Sequence, residues 1–495
     1  MVGGNALLML IPFAEWRPDV ANINRNATDD LLNVLPADGS YIPFPLLQAV
    51  RPALAARPLG GITARSSSGQ LFIFLATTDK IYMAATTTGG SWVDVSGTSY
   101  SATTEAPWCF TQFGDYVIAV NPNDNPQKFR LGSDTAFSDI GGSPPRARLV
   151  KVWGSFLALM HLTNDPNKVH WSDIENIDNW TIGTGSLSDT QVFPDGGVIQ
   201  GSSETTNPII FLERAIYIGT FVPGSREVFT FTKVHDRRGA KSQSSIATRG
   251  SYIFYADEGG FYQIGLDGQI AAIGLEKVDR TYFNLLTQAN QELIQGAIDP
   301  FHSRVYWAIT IGSGSFYDRI LVYDWNLQKW TIGEASISLL LPSGSPGYTL
   351  EDLDAIADLD TLADSLDSQV WQASAPVMAA VNDSHRLCFF TGGAAQATLT
   401  TQELGATDGE LQRVTELYPV IDCDTLGEID CYILSRFRRS QTYTTSAAFN
   451  PSSNTGIARK NNRARFQRFR IKVDEGATWN HAIGINVNPV PAGKR

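Results

Sequence analysis

The sequence predicts an all-β protein: a β-propeller of roughly six to seven blades with an N-terminal proline-rich arm and a C-terminal β-domain. Three observations lead there. Short runs rich in β-branched and aromatic residues recur along most of the chain, punctuated by Gly, Asn, Asp and Pro. These runs return in groups at roughly 40-residue spacing, the size of a four-stranded blade. The tetrapeptide Trp180-Thr181-Ile182-Gly183 recurs as Trp330-Thr331-Ile332-Gly333, each copy after a strand-like run and a polar turn.

Residues 1–57 make the arm. Pro12, Pro18, Pro36, Pro43, Pro45 and Pro52 are too closely spaced for regular helix or central strand. Phe13, Trp16, Tyr41, Phe44 and Leu46 lie between them, so the segment is expected to drape over a surface, its own or a neighbour's. Residues 58–401 are expected to carry the blades, on runs such as 70–76, 116–120, 155–160, 209–218, 252–255, 304–311 and 319–325. Turns leading into these strands echo one another. Asp165-Pro166-Asn167-Lys168-Val169 resembles Asp299-Pro300-Phe301-His302-Ser303-Arg304-Val305, and Asn382-Asp383-Ser384-His385-Arg386-Leu387 is a looser copy.

Two stretches interrupt the pattern. Residues 275–295 lack Gly and Pro and place Val278, Tyr282, Leu285, Leu286 and Leu293 at helical spacing, which predicts a helix between blades. Residues 349–371 place Leu350, Leu353, Ile356, Leu359 and Leu362 every third residue with acids in the gaps. A three-residue step drifts around an α-helix, so this acidic insertion is assigned no conformation. Residues 402–495 read as strands again. Within 465–473, Phe469, Ile471 and Val473 alternate with Arg468, Arg470 and Lys472.

With 43% hydrophobic and 18% charged residues, the 495-residue chain suits folded domains with several cores. Its net charge of −12 argues against generic affinity for nucleic acid, which takes clustered Lys and Arg. An acidic wall would instead let DNA slide without sticking. The charge is segregated: residues 334–383 hold nine acids and no Lys or Arg, and residues 436–472 hold ten Lys and Arg and no acids. The two are expected to meet, within or between subunits, since opposed fields specify partners. Arg465, Arg468, Arg470 and Lys472 on one side and Asp354, Asp358 and Asp360 on the other form the candidate assembly interface. Two solvated faces held apart are the plainer alternative.

The residues point away from catalysis. Six histidines, His161, His170, His235, His302, His385 and His481, form no HxH, HExxH or His–Cys cluster, so no metal site is assigned. No GxSxG elbow, Walker loop or GxGxxG opening a helix is present, and no catalytic or cofactor-binding residue is assigned. The carboxylates of 351–367 share one uniformly acidic setting, whereas catalytic pairs need environments that push their pKa values apart. Thr88-Gly89-Gly90-Ser91-Trp92 is only a faint echo of a glycosidase Asp-box. Cys109, Cys388, Cys423 and Cys431 are scattered and contain no CxxC. Buried free thiols are expected, with a Cys423–Cys431 pair left open. The apolar stretch 6–12 is short and lacks a preceding Lys or Arg, and no run approaches the ~18 residues a membrane span needs. A soluble chain made in the cytoplasm, with no membrane insertion, is expected.

Several segments, in their order, resemble a known family. Pro12-Phe13-Ala14-Glu15-Trp16-Arg17-Pro18-Asp19, then 33–39 (NVLPADG) and Pro43-Phe44-Pro45, resemble the opening of phage proteins of the tail-nozzle and packaged-DNA-stabilisation type. Residues 169–180 (VHWSDIENIDNW), the acidic segment ending Leu366-Asp367-Ser368-Gln369-Val370-Trp371, and 463–473 with Trp479-Asn480-His481-Ala482 resemble the same group. The resemblance implies a propeller-containing structural subunit of a short-tailed phage. It implies a hexameric tube below the portal and adaptor rings, assembled in the host cytoplasm, that retains packaged DNA and passes it on ejection. It brings no catalytic residues to transfer. The alternative is a glycan- or receptor-binding propeller adhesin of the tail, and a third reading is a propeller hydrolase.

Overall fold

The structure, a computed structural model, describes residues 9–20, 27–84, 90–225, 227–287, 290–344, 376–405 and 410–493. It is nearly all-β, with 53% strand and 3% helix.

Five antiparallel four-stranded meanders follow one another along the chain, over 60–94, 109–139, 147–192, 199–235 and 247–272. A seven-stranded sheet comes next, running Ile294–Ile298, Arg304–Ile309, Tyr317–Asp324, Lys329–Gly344, Pro376–Asn382, Leu387–Ala394 and finally Pro45–Ala49. The 16-residue strand Lys329–Gly344 serves two neighbours. Its first half pairs with Tyr317–Asp324, and its second half, from Ile337, pairs with Pro376–Asn382. The sheet therefore divides into a sixth and a seventh four-stranded unit sharing that strand. The N-terminal strand Pro45–Ala49 completes the seventh along Leu387–Ala394.

The second strand of several units is buried on both faces. Leu71–Ala76, Phe156–Leu162, Ile209–Leu212 and Arg304–Ile309 are almost wholly sealed, which explains their unbroken apolar runs in place of alternation. Their two faces belong to different cores. Phe74 packs with Phe129 between units one and two, Ile118 with Leu157 between two and three, and Trp153 with Tyr217 between three and four. Phe211 and Tyr255 join four to five, Phe254 and Trp307 five to six, and Tyr306 and Met378 six to seven. Leu341 and Phe389 of the seventh then share a core with Ile73 and Leu75 of the first. The first strands come close enough to need glycine. A Cβ on Gly60 would lie 2.6 Å from the Trp108 carbonyl oxygen, inside any real contact.

The C-terminal region is a pair of sheets facing each other. One contains Ala458–Ala464, Gln412–Cys423 and Trp479–Pro491; the other contains Ile429–Arg436, Phe466–Val473 and Ala397–Thr400. Leu417, Ile485 and Val487 on the first meet Ile433, Phe469 and Ile471 on the second. The strand Ala397–Thr400 belongs here through its pairing with Phe466–Val473, so this region starts before residue 402.

The N-terminal segment runs over the chain's own C-terminal sheets and adds strands to them. Met9–Pro12 pairs with Trp479–Pro491, Leu31–Leu32 pairs with Ala397–Thr400, and the hairpin of Val34–Ala37 and Ser40–Pro43 extends the first C-terminal sheet. Prolines do not prevent this, because the strands lie at sheet edges or are two to five residues long. The expected helix over 275–295 is shorter, spanning Asp279–Leu285 between the fifth and sixth units. Tyr282 and Leu286 are buried, but Leu285 and Leu293 face solvent, so the apolar stripe ends after two turns and Ile294 begins a strand.

Both copies of the tetrapeptide put their tryptophan in a core, though not at one strand position. Trp330 lies on the last strand of the sixth unit, and Trp180 lies in the connection before the last strand of the third. Each packs against the preceding unit, Trp330 beside Phe261 and Trp180 beside Ile118. Two of the three turn echoes share Asx chemistry. The Asp299 carboxylate accepts the backbone N–H groups of Phe301 and His302, and the Asn382 side-chain oxygen accepts those of Ser384 and Arg386. All four cysteines are free thiols, and burial pushes Cys388 up to about 11 and Cys431 up to about 12.

Candidate functional site

The charged strand singled out by sequence, Phe466–Val473, runs through the middle of the second C-terminal sheet. Its alternation places Phe469, Ile471 and Val473 in the core and turns the cations to the other face. That face is covered by the chain's own N-terminal segment. Arg468 is 3% exposed and uses all three guanidinium nitrogens. Nε donates to the Thr401 carbonyl at 3.1 Å, Nη1 to Asp29 Oδ1 at 2.6 Å and Nη2 to Thr28 Oγ1 at 2.7 Å. Arg470 Nε donates to Asp30 Oδ2 at 2.8 Å and to Thr400 Oγ1 at 3.2 Å. The adjacent acids Asp29 and Asp30 thus take one arginine each, at the bend between Ala27–Thr28 and Leu31–Leu32.

Arg468 and Arg470 are thus paired within the chain, with Asp29 and Asp30 and not with the acidic segment named as their candidate partner. Lys472 is half-buried, its ammonium 5.8 Å from the Tyr432 ring centre, and Arg465 is half-buried. Asp354, Asp358 and Asp360 lie outside the described residues. A second internal pair follows the same logic. Arg436 Nε donates to Glu403 Oε2 at 2.7 Å, with the guanidinium 4.4 Å from the Tyr443 ring centre. The remaining basic groups of 436–472 that face solvent include Arg438, Arg439, Arg459 and Arg463.

Asn33 joins this junction to the sixth unit. Its Nδ2 donates to the Gln396 carbonyl at 2.9 Å, and its Oδ1 accepts the Glu334 N–H at 2.7 Å. Its φ of +56° is left-handed, which Asn tolerates better than most residues. Asp19 fixes the segment to the helix Asp279–Leu285 by accepting the backbone N–H groups of Arg280 and Thr281 at 2.8 and 2.7 Å.

Asp279 beside it is buried, and its carboxyl is pushed up to about 7, chiefly by loss of water, with Asp19 and Asp257 adding repulsion against the one Phe261 N–H that stabilises the anion. A carboxyl raised in the folded state above its ordinary value near 3.8 contributes most stability below pH 4 and loses that contribution as pH rises through 7. Between those limits the protein should lose up to about 1.4 kcal/mol per pH unit through this group. In Asp279→Asn that part of the slope should vanish, measured as urea midpoints from pH 4 to 8. An unchanged slope would rule Asp279 out as its source.

Among the described residues no group of three or more His, Cys, Asp or Glu side chains is placed to hold a metal ion. No helix among them is long and apolar enough to cross a membrane. The Asp29–Asp30 clasp had no sequence signal of its own: two acids in a mixed segment pair with arginines some 440 residues away.

No family model matches the chain, and no curated protein matches it. Among solved structures it is similar to the extracellular domain of the putative one component system BT4673 from B. thetaiotaomicron, at 9% identity and a TM-score of 0.39, over 84% of this chain and 46% of that one. It is also similar to the computationally designed Ika8 protein, at 10% identity and a TM-score of 0.36, over 70% of this chain and 98% of that one. The chain thus spans about half of the first of these structures.

Proposed function

We propose that the chain is a non-enzymatic structural subunit of a short-tailed phage tail nozzle, with its seven four-stranded units closed as a β-propeller. In this reading it forms a homo-oligomeric, hexameric ring with the adaptor ring and other tail proteins, retains the packaged genome and conducts it on ejection. The observation that carries the propeller is the cycle of shared cores that returns from the seventh unit to the first, with Pro45–Ala49 as the closing strand. The ordered sequence likenesses and the charge of −12 support the nozzle.

First strands of a propeller face its axis, and here side chains bridge between them. Lys151 Nζ lies 3.0 Å from Glu204 Oε1, Thr111 Oγ1 donates to the same oxygen at 3.1 Å, and Thr63 Oγ1 donates to Ser343 Oγ at 2.9 Å. Immunogold electron microscopy of purified virions with antiserum to this chain tests the reading. Label on a ring at the tail, with a central channel and about six copies, is expected from the family likeness. Unlabelled tails, or a compact monomer that never enters particles, would overturn it.

A further inference from the structure

A shallow hollow of about 420 Å³ opens where three hairpin turns of the fifth and sixth units meet. Its floor is aromatic. Trp325 lies flat on Tyr252, with ring centres 5.0 Å apart and planes at 27°, and flat on Phe254 at 5.4 Å. Trp325 is only partly buried, Tyr252 is 43% exposed, and Phe301 stands at the rim at 53% exposure, so three aromatic side chains reach solvent at one place. Polar groups converge on the same space. Among the described residues neither the Trp325 indole N–H nor the Asn326 side-chain amide has a protein partner. His302 points one ring nitrogen at Asp299, 3.2 Å away, and its side chain is half exposed.

The charges around the hollow sum to zero. Arg304 Nε donates to Asp324 Oδ2 at 3.3 Å, while the exposed Arg249 donates through Nη1 to the Asp299 backbone carbonyl at 2.9 Å, with the Asp299 carboxylate turned to His302 on the same turn. Two guanidinium groups and two carboxylates leave no net positive charge, which disfavours a phosphate or other anion. An apolar ligand is equally disfavoured, because it would strip water from the free donors without replacing it. We infer that this hollow is a binding site for a neutral saccharide. The C–H face of a pyranose is slightly positive and suits the negative face of the Trp325 indole, while ring hydroxyls take the indole N–H, the Asn326 amide and the outer nitrogen of His302. An open, shallow site gives weak affinity per copy, on the order of millimolar.

The test is the purified full chain on an array of neutral, sialylated and sulfated oligosaccharides, with saturation-transfer NMR on the bound sugars. The expected result is retention on neutral glycans, weakened at least tenfold by Trp325→Ala and clearly reduced by Phe301→Ala and Asn326→Ala. The last two lie on exposed turns and keep the fold readable if Trp325→Ala melts early. Three results would each overturn the site: no neutral glycan held above an inert-protein control, binding confined to sulfated or sialylated glycans, or neutral binding indifferent to all three substitutions.

Discussion

Trp330→Ala should destabilise the protein by about 3–5 kcal/mol, the range for truncating a large aromatic in a close-packed core. Its indole is 0% exposed, stacks on Trp307 with ring centres 5.6 Å apart, and touches Phe261 and Tyr323 at 5.1 and 4.9 Å. The indole N–H donates to the Ile273 carbonyl at 2.8 Å, so truncation also leaves a buried acceptor unpaired. Trp180→Ala should cost less. Trp180 is 4% exposed, and its N–H donates to Ile177, three residues away in the same loop, so the loop can relax as a unit. Urea midpoints of the two variants should therefore fall in that order. An unchanged midpoint for Trp330→Ala would mean that the fifth and sixth units do not share a load through this residue.

The strands and their cores were largely legible, for a physical reason. A strand buried on both faces must be apolar at every position, and runs such as 70–76 and 304–311 announce themselves without an alternation to decode. The edges were not legible. Pro45–Ala49 carries a strand's neighbours but a loop's composition, and its partner lies more than 330 residues on. The helix Asp279–Leu285 was overextended because helical spacing says nothing about where the covering surface stops. Charge pairing is the least legible feature. Net charge along a segment is a sum over residues, and it cannot say which cations are already neutralised by acids far away in sequence. Ten basic residues in 436–472 looked like an outward field, yet Arg436, Arg468 and Arg470 are each held by an acid of the same chain.

Arg468→Ala should destabilise the monomer by about 1–3 kcal/mol, the range for leaving buried hydrogen-bonding groups unpaired, since the guanidinium is buried while its partner Asp29 reaches solvent. Three acceptors lose their donor at once: the Asp29 carboxylate, the Thr28 hydroxyl and the Thr401 carbonyl. Arg468→Lys should recover little, since an ammonium is a point charge and cannot match three acceptors spread around a planar fork. The effect should couple to Asp29. In a double-mutant cycle with Asp29→Ala, the second substitution should cost markedly less than the first, with a coupling of about 0.5–3 kcal/mol. Salt dependence separates an internal clasp from an assembly surface. Exposed pairs weaken as the Debye length shrinks, to about 3 Å at 1 M, whereas the hydrogen bonds of the buried guanidinium to Thr28 and Thr401 are not screened. The Arg468→Ala loss should therefore persist in 1 M NaCl and appear at concentrations where the chain is monomeric. If it appears only in assembled rings and fades with salt, the strand faces another subunit, and the N-terminal segment does not hold its arginines in the free chain.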